Sequence, residues 1–243
     1  MLTTLSTLLL LSLFPQTSPA DDSESKLSGS ADLGITLISG NTESANSALN
    51  LGLNYVVNVH KFDFGLHYQA VRDTDQATDI ATTSSRLYRS NLQYNFFLSA
   101  DKETYVWTNI ATRQDEPTGL LSRNNLGAGF GYYMLLGKAL NFNVEIGASY
   151  VDEEKVSAAS EATVGRLAFH LKWPASDNLL LISSSEFLSS SDIETYGQDL
   201  SLRYSLNTDW YLQLANNISY DAFPSAGSET TDSRWDITIG TSF

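Results

Sequence analysis

Trp235-Asp236-Ile237-Thr238-Ile239-Gly240-Thr241-Ser242-Phe243 alternates apolar and polar side chains up to a final aromatic. Successive side chains of a β-strand point to opposite faces, so Trp235, Ile237, Ile239 and Phe243 share one face. Arg234, Asp236, Thr238 and Ser242 share the other. One face suits lipid and the other water, which predicts a membrane-crossing strand.

The same period of two recurs upstream from Leu27, and no segment keeps a helical period. Clear apolar faces are Leu49, Leu51, Leu53, Tyr55 and Val57; Phe62, Phe64, Leu66 and Tyr68; and Leu126, Ala128, Phe130 and Tyr132. Further ones run through Phe142, Val144 and Ile146, through Leu167, Phe169 and Leu171, and through Leu200, Leu202 and Tyr204. Segments near Thr104 to Thr112 and Leu179 to Leu188 are strand-like without a clear phase. The total is about 12 strands, an even number as bacterial barrels require.

Connections alternate in length. Short ones fall at Asn58-Val59-His60-Lys61, Gly137-Lys138, Pro174-Ala175-Ser176-Asp177 and Asn207-Thr208-Asp209. Longer polar ones fall at Ser39 to Asn46, Arg72 to Thr82, Gln114 to Ser122, Asp152 to Glu161, Ser189 to Glu194 and Ala222 to Thr231. That is the rule of short periplasmic turns and long outer loops. Tyr68, Tyr150 and Tyr220 sit near one end of their strands, and Phe62, Phe96, Trp173, Trp210 and Phe243 near the other, as two interfacial girdles would.

The expected fold is all-β, a transmembrane up-and-down antiparallel β-barrel over residues 21–243. Residues 1–20 read as a signal peptide: Met1 to Ala20 holds no charged side chain, an apolar stretch from Leu5 to Phe14, and the small-residue ending Ser18-Pro19-Ala20. Its apolar core of about ten residues is too short to span a bilayer, which needs roughly 20. The expected location is the bacterial outer membrane.

Gly34 through Ser39-Gly40-Asn41-Thr42, then Arg123 followed by Gly127-Ala128-Gly129-Phe130-Gly131-Tyr132, together with the aromatic terminus, resemble the YdiY-like bacterial family. Its members are described as salt-induced outer-membrane proteins, and its function is unknown. The resemblance covers nearly the whole mature chain and implies an outer-membrane barrel, with no catalytic residues to carry over. The ending Trp235, Ile237, Ile239, Phe243 also resembles the assembly signal of outer-membrane barrels. The expected partners are therefore the barrel-assembly machinery, outer-membrane lipid and lipopolysaccharide.

The chain of 243 residues has no cysteine and a formal charge of −14. That charge excludes nucleic acid as a partner, because nothing could neutralise phosphates in bulk. Carboxylates cluster in the long loops, at Asp73, Asp75 and Asp79 and at Asp152, Glu153, Glu154 and Glu161. Solvation accounts for them; a sharper reading is bridging to lipopolysaccharide phosphates through divalent cations. Asp73, Asp75 and Asp79 begin like a calcium loop, but Thr78 stands where glycine is needed and Ser84 where glutamate is needed. No cofactor and no resident metal site are expected.

Catalysis has little support. His60 falls in a turn, His67 and His170 fall on water-facing strand positions, and no serine sits in a G-x-S-x-G elbow. The protein is expected not to be an enzyme, but an envelope barrel with a narrow small-solute pore. The alternatives are a barrel enzyme acting on lipid or peptide and a secreted soluble β-sandwich that binds a ligand. Expected lumen-lining residues are Asp63, His67, Arg89, Glu145, Arg166, His170, Lys172, Glu186, Asp199, Arg203 and Asp236, with Glu145, Glu186, Asp199 and Asp236 pairing with Arg89, Arg166, Lys172 and Arg203 across the lumen. Barrels of about eight strands are filled by side chains and those of about 16 leave a channel, so about 12 lies between.

Overall fold

The computed structural model describes residues 25–38, 43–75, 80–135, 140–226 and 228–243. The expected signal peptide, the turn at Gly137-Lys138 and Asp79 lie outside them. Twelve strands form one closed barrel in sequence order. They are β1 (Ser25–Ile38), β2 (Glu43–Val57), β3 (His60–Asp75), β4 (Ile80–Phe97), β5 (Thr104–Asp115) and β6 (Leu120–Leu135). The ring continues with β7 (Asn141–Lys155), β8 (Ala159–Ser176), β9 (Leu179–Ser189), β10 (Glu194–Ser205), β11 (Trp210–Asp221) and β12 (Thr231–Ser242).

Every neighbour pair is antiparallel, and β1 pairs with β12 to close the ring, from Ser30 opposite Ser242 to Leu33 opposite Ile239. Phe243 extends this seam. Its carbonyl accepts from Gly29 N–H at 2.8 Å and its N–H donates to Gly29 carbonyl at 3.1 Å. A Cβ at Gly29 would meet the Phe243 ring, so glycine there gives the terminal aromatic its place.

The barrel is inverted relative to a soluble protein. On β7, Ile146 is 64% exposed while its neighbour Glu145 is 1% exposed. Leu126 and Phe130 on β6, Trp210 and Leu212 on β11, and Trp235, Ile237 and Ile239 on β12 are likewise exposed. A contiguous apolar belt on this scale needs an apolar surrounding.

Of the polar segments expected to be long loops, Arg72 to Thr82 and Asp152 to Glu161 are largely strand, whereas Ser189 to Glu194 and Ala222 to Thr231 are connections. β7 runs through Lys155 and β8 starts at Ala159, so Asp152 pairs directly with Glu161 and only three residues join the strands. Strands of up to 18 residues exceed the roughly 9–11 that cross a membrane, so these hairpins project beyond the apolar belt. The alternation lay in strand polarity more than in connection length: six residues, Leu98 to Glu103, join β4 to β5 at the short-turn end. His60 belongs to β3 rather than to a turn, with its Nδ1 2.8 Å from the Tyr94 hydroxyl.

The phase of β5, obscure in sequence, is set by glycines on its neighbours. Tyr105 and Trp107 point inward because Gly127, Gly129 and Gly131 on β6 and Gly147 on β7 leave room. A Cβ at Gly131 would run into the Tyr105 ring, and one at Gly127, Gly129 or Gly147 into Trp107. Trp107 Nε1 donates to Phe130 carbonyl at 3.2 Å, fixing the indole over this bare patch. Phe97, Tyr105 and Trp107 form an apolar cluster inside the barrel, joined by Val59 and Tyr133. Val151, Val164, Leu188 and Ile193 form a second toward the opposite end.

Candidate functional site

The interior between these clusters is polar and charged. Asp63 and His67 stand on β3, Arg89 on β4, Glu145 on β7, Arg166, His170 and Lys172 on β8, Glu186 on β9, Asp199 and Arg203 on β10, and Asp236 on β12. Strict alternation places all of them on the side opposite the apolar belt.

Glu145 is the centre of one network. Its Oε1 accepts from Gln93 at 2.7 Å and from the Tyr105 hydroxyl at 2.9 Å, and its Oε2 accepts from Arg166 at 2.8 Å. Arg166 also donates to Glu186 at 2.6 Å, and its guanidinium lies over the Trp107 ring at 4.3 Å. A carboxylate removed from water is tolerated only with such pairing and full use of its lone pairs.

Arg89 and Asp199 form a different contact. Their strands are diametrically opposed in the ring, so the 3.3 Å pair is a strut across the lumen. Asn217 also donates to Asp199, Arg234 donates to Asn217 at 3.0 Å, and Arg234 pairs with Asp236 at 3.3 Å. Cavities of about 340 and 300 Å³ flank the strut, and both are bounded by Arg89 and Asp199.

Of the cross-lumen pairs expected from sequence, only Arg89 with Asp199 spans the barrel. Arg166 bonds Glu145 and Glu186 on adjacent strands, along the wall, and Asp236 takes Arg234 instead. Arg203 donates to Gln213 and stacks on Tyr211 at 3.7 Å. Tyr211 in turn donates to Asp32 over Gly240, stitching β11 to β1 across the closing strand. Among the described residues Lys172 has no salt bridge; it lies within electrostatic reach of Arg203, Lys61 and Lys26. Lys61 pairs with Asp63 at 2.9 Å, and His67 Nδ1 bonds Asn50.

Sequence reasoning missed the mouth at the long-hairpin end. There Arg123 bonds Glu153 and reaches Asp221 at 3.5 Å, while Lys155 bonds Glu153 at 2.8 Å and Asp221 at 2.7 Å. The β11–β12 connection spans the mouth above them. Ser225 donates to Gly119 carbonyl and Ser228 to Thr118 carbonyl, each at 3.1 Å, and Lys155 holds Phe223 carbonyl at 2.6 Å. Extending the alternation of β6, β7 and β11 into their polar ends was the signal that marked Arg123, Glu153, Lys155 and Asp221 as inward.

One arrangement invites a catalytic reading. His170 Nδ1 lies 3.1 Å from Ser184 Oγ, and His170 Nε2 lies 3.6 Å from Glu145. The carboxylate is already bound by Arg166, Gln93 and Tyr105, and 3.6 Å is no hydrogen bond. Ser184 sits inside a ladder where strand N–H groups are taken up by pairing, so no backbone pair can serve an oxyanion. Asp63 and His67 each bond an asparagine of β2 instead of each other. Among the described residues no cluster of three or more histidines and carboxylates could hold a metal ion.

The family described as "Protein of unknown function, DUF481" matches residues 31–243. The chain belongs to that family. This agrees with the resemblance read from Gly34 to Thr42, Arg123 and the glycine run. No curated protein matches the chain. Among solved structures it is similar to a NanC porin, at 10% identity over 89% of this chain and 99% of that one, with a TM-score of 0.49. It is similar to a KdgM porin in complex with disordered oligogalacturonate, at 10% identity over 88% and 99%, TM-score 0.45. An anion-selective porin from Comamonas acidovorans follows at 8% identity over 91% and 100%, TM-score 0.41. These scores lie below 0.5, so the architecture of this DUF481 chain rests on its own closed strand order.

Proposed function

We propose that this DUF481 protein is a non-enzymatic barrel of the bacterial outer membrane that serves as a narrow pore for small solutes. The observation that carries the reading is the inversion of the barrel: an apolar belt outside and a charged interior holding two cavities on either side of the Arg89–Asp199 strut. Each cavity has room for about ten waters. Outer-membrane lipid and lipopolysaccharide would surround the belt, and the barrel-assembly machinery would read Trp235, Ile237, Ile239 and Phe243. The acidic outer hairpins, where Asp152 faces Glu161, would meet lipopolysaccharide phosphates through divalent cations.

Planar-bilayer recording of the purified barrel tests the pore. The expected result is a small conductance carried by small ions. Silence from both the unmodified protein and an Asp199→Ala variant would overturn the pore and leave a structural envelope role, whereas a large unselective current would mean that the strut does not hold in the membrane.

A further inference from the structure

The charges inside the barrel are sorted by side. On the wall built by β4 to β8, Arg89, Arg113, Arg123, Lys155, Arg166 and Lys172 stand on inward positions with only three carboxylates, Asp115, Glu145 and Glu153. On the opposite wall, from β9 through β12 to β3, the inward carboxylates are Asp32, Asp63, Glu186, Asp199, Asp221 and Asp236, joined at the outer rim by Asp232. That wall carries four cations, Lys26, Lys61, Arg203 and Arg234. Among the described side chains one wall therefore has an excess of three positive charges and the other an excess of three negative ones. Over the described inward side chains the two excesses cancel, although the chain is strongly acidic.

Both cavities touch both signs. The larger lies between Arg113, Arg123 and Arg166 on one side and Glu186 and Asp199 on the other. The smaller has Arg89 across from Asp32, Asp199 and Asp236, with Arg203 standing among these carboxylates on their own wall. Nε of Arg89 and of Arg113, and Nε2 of His67 and of His170, are buried without a hydrogen-bond partner, and each of these residues lines a cavity. Buried polar atoms of this kind are satisfied by water or by a polar solute.

Resting on the pore reading above, we propose that the lumen favours small zwitterions, molecules carrying an ammonium and a carboxylate on one short frame, over neutral molecules of the same size. A simple ion satisfies one wall and is repelled by the other. A neutral molecule gains little from either wall and must displace water oriented between them. A zwitterion brings no net charge, turns its carboxylate to the arginine wall and its ammonium to the aspartate wall, and keeps both charges paired in a medium where unpaired ones are costly. Cavities of about 340 and 300 Å³ suit solutes of amino-acid size.

Osmotic swelling of liposomes containing the full-length barrel tests this with two isomers, zwitterionic glycine and neutral glycolamide. Glycine should enter about threefold or more faster, because field and charge pairing act on it alone. Changing Asp199 and Asp236 to Asn removes two charges from the acidic wall, and the ratio of the two rates should then fall toward one even if both rates rise. Equal rates through the unmodified barrel would overturn the zwitterion preference while leaving the pore intact. A ratio unchanged in the double variant would also overturn it, since the acidic wall would not be the cause. No swelling with either isomer, in barrels shown to be folded by heat-modifiable migration, would remove the pore reading and this inference together.

Discussion

Neighbouring residues in this wall live in opposite solvents. Ile146 faces the belt and Glu145 the lumen, one peptide apart. Ile146→Arg should cost about 2–4 kcal/mol at midplane depth, where a guanidinium has no water. Asn91→Arg, on an inward position bordering both cavities, should cost less than about 1 kcal/mol, because surface-like changes away from packed features are small. Urea unfolding in lipid, read by tryptophan fluorescence, measures both, and equal losses would refute the assignment of faces. The glycines give a second contrast. Gly147→Ala puts a methyl against the Ala128 carbonyl and the Trp107 ring, so a loss of about 1–3 kcal/mol is expected. Gly197→Ala meets nothing within 4 Å and should be neutral or slightly stabilising, since glycine in a strand carries extra chain entropy.

At the scale of elements, the closing strand has the most exposed task. The β1–β12 ladder pairs Ser30 to Leu33 with Ser242 to Ile239, and Phe243 adds the exchange with Gly29 at the edge. Removing Phe243 deletes that exchange and uncovers Gly29. The folded, heat-modifiable fraction should therefore fall, and undiminished folding of the truncated chain would reject the role assigned to the terminal aromatic. Gly29→Val should act similarly, because its side chain would displace the ring. The acidic hairpins follow another logic: their charges stand on paired strands, so β7 and β8 carry Asp152 opposite Glu161 without needing a long loop.

For the whole molecule, the decisive contact is the strut between opposite walls. Asp199 keeps a half-exposed side chain, so the pair with Arg89 contributes only about 0–1 kcal/mol to stability. Asp199→Ala should thus leave the unfolding midpoint almost unchanged while raising single-channel conductance, a separation that bilayer recording and urea titration would show together. Changing Arg89 and Arg203 to Gln should shift reversal potentials in a salt gradient toward cations, as carboxylate-lined pores prefer. Arg166 is a poor choice for that experiment. Its loss would leave Glu145 buried without its cation, at a cost of about 3–5 kcal/mol.

The sequence by itself determined which side chains face lipid and which face the lumen wherever a strand has one apolar face, because a period of two survives any arrangement of neighbours. It also determined the strand number and the closing role of Trp235 to Phe243, since repeated alternation without a helical period leaves few other folds. It could not determine the phase of β5, whose inward Tyr105 and Trp107 depend on glycines of β6 and β7. Nor could it say that Arg166 binds along the wall while Arg89 reaches across. Which inward charges meet depends on the register of every ladder and on the diameter set when β1 joins β12. Those are properties of the closed ring, and the tertiary structure alone brings Arg89, 110 residues from Asp199 in the chain, to within 3.3 Å of it.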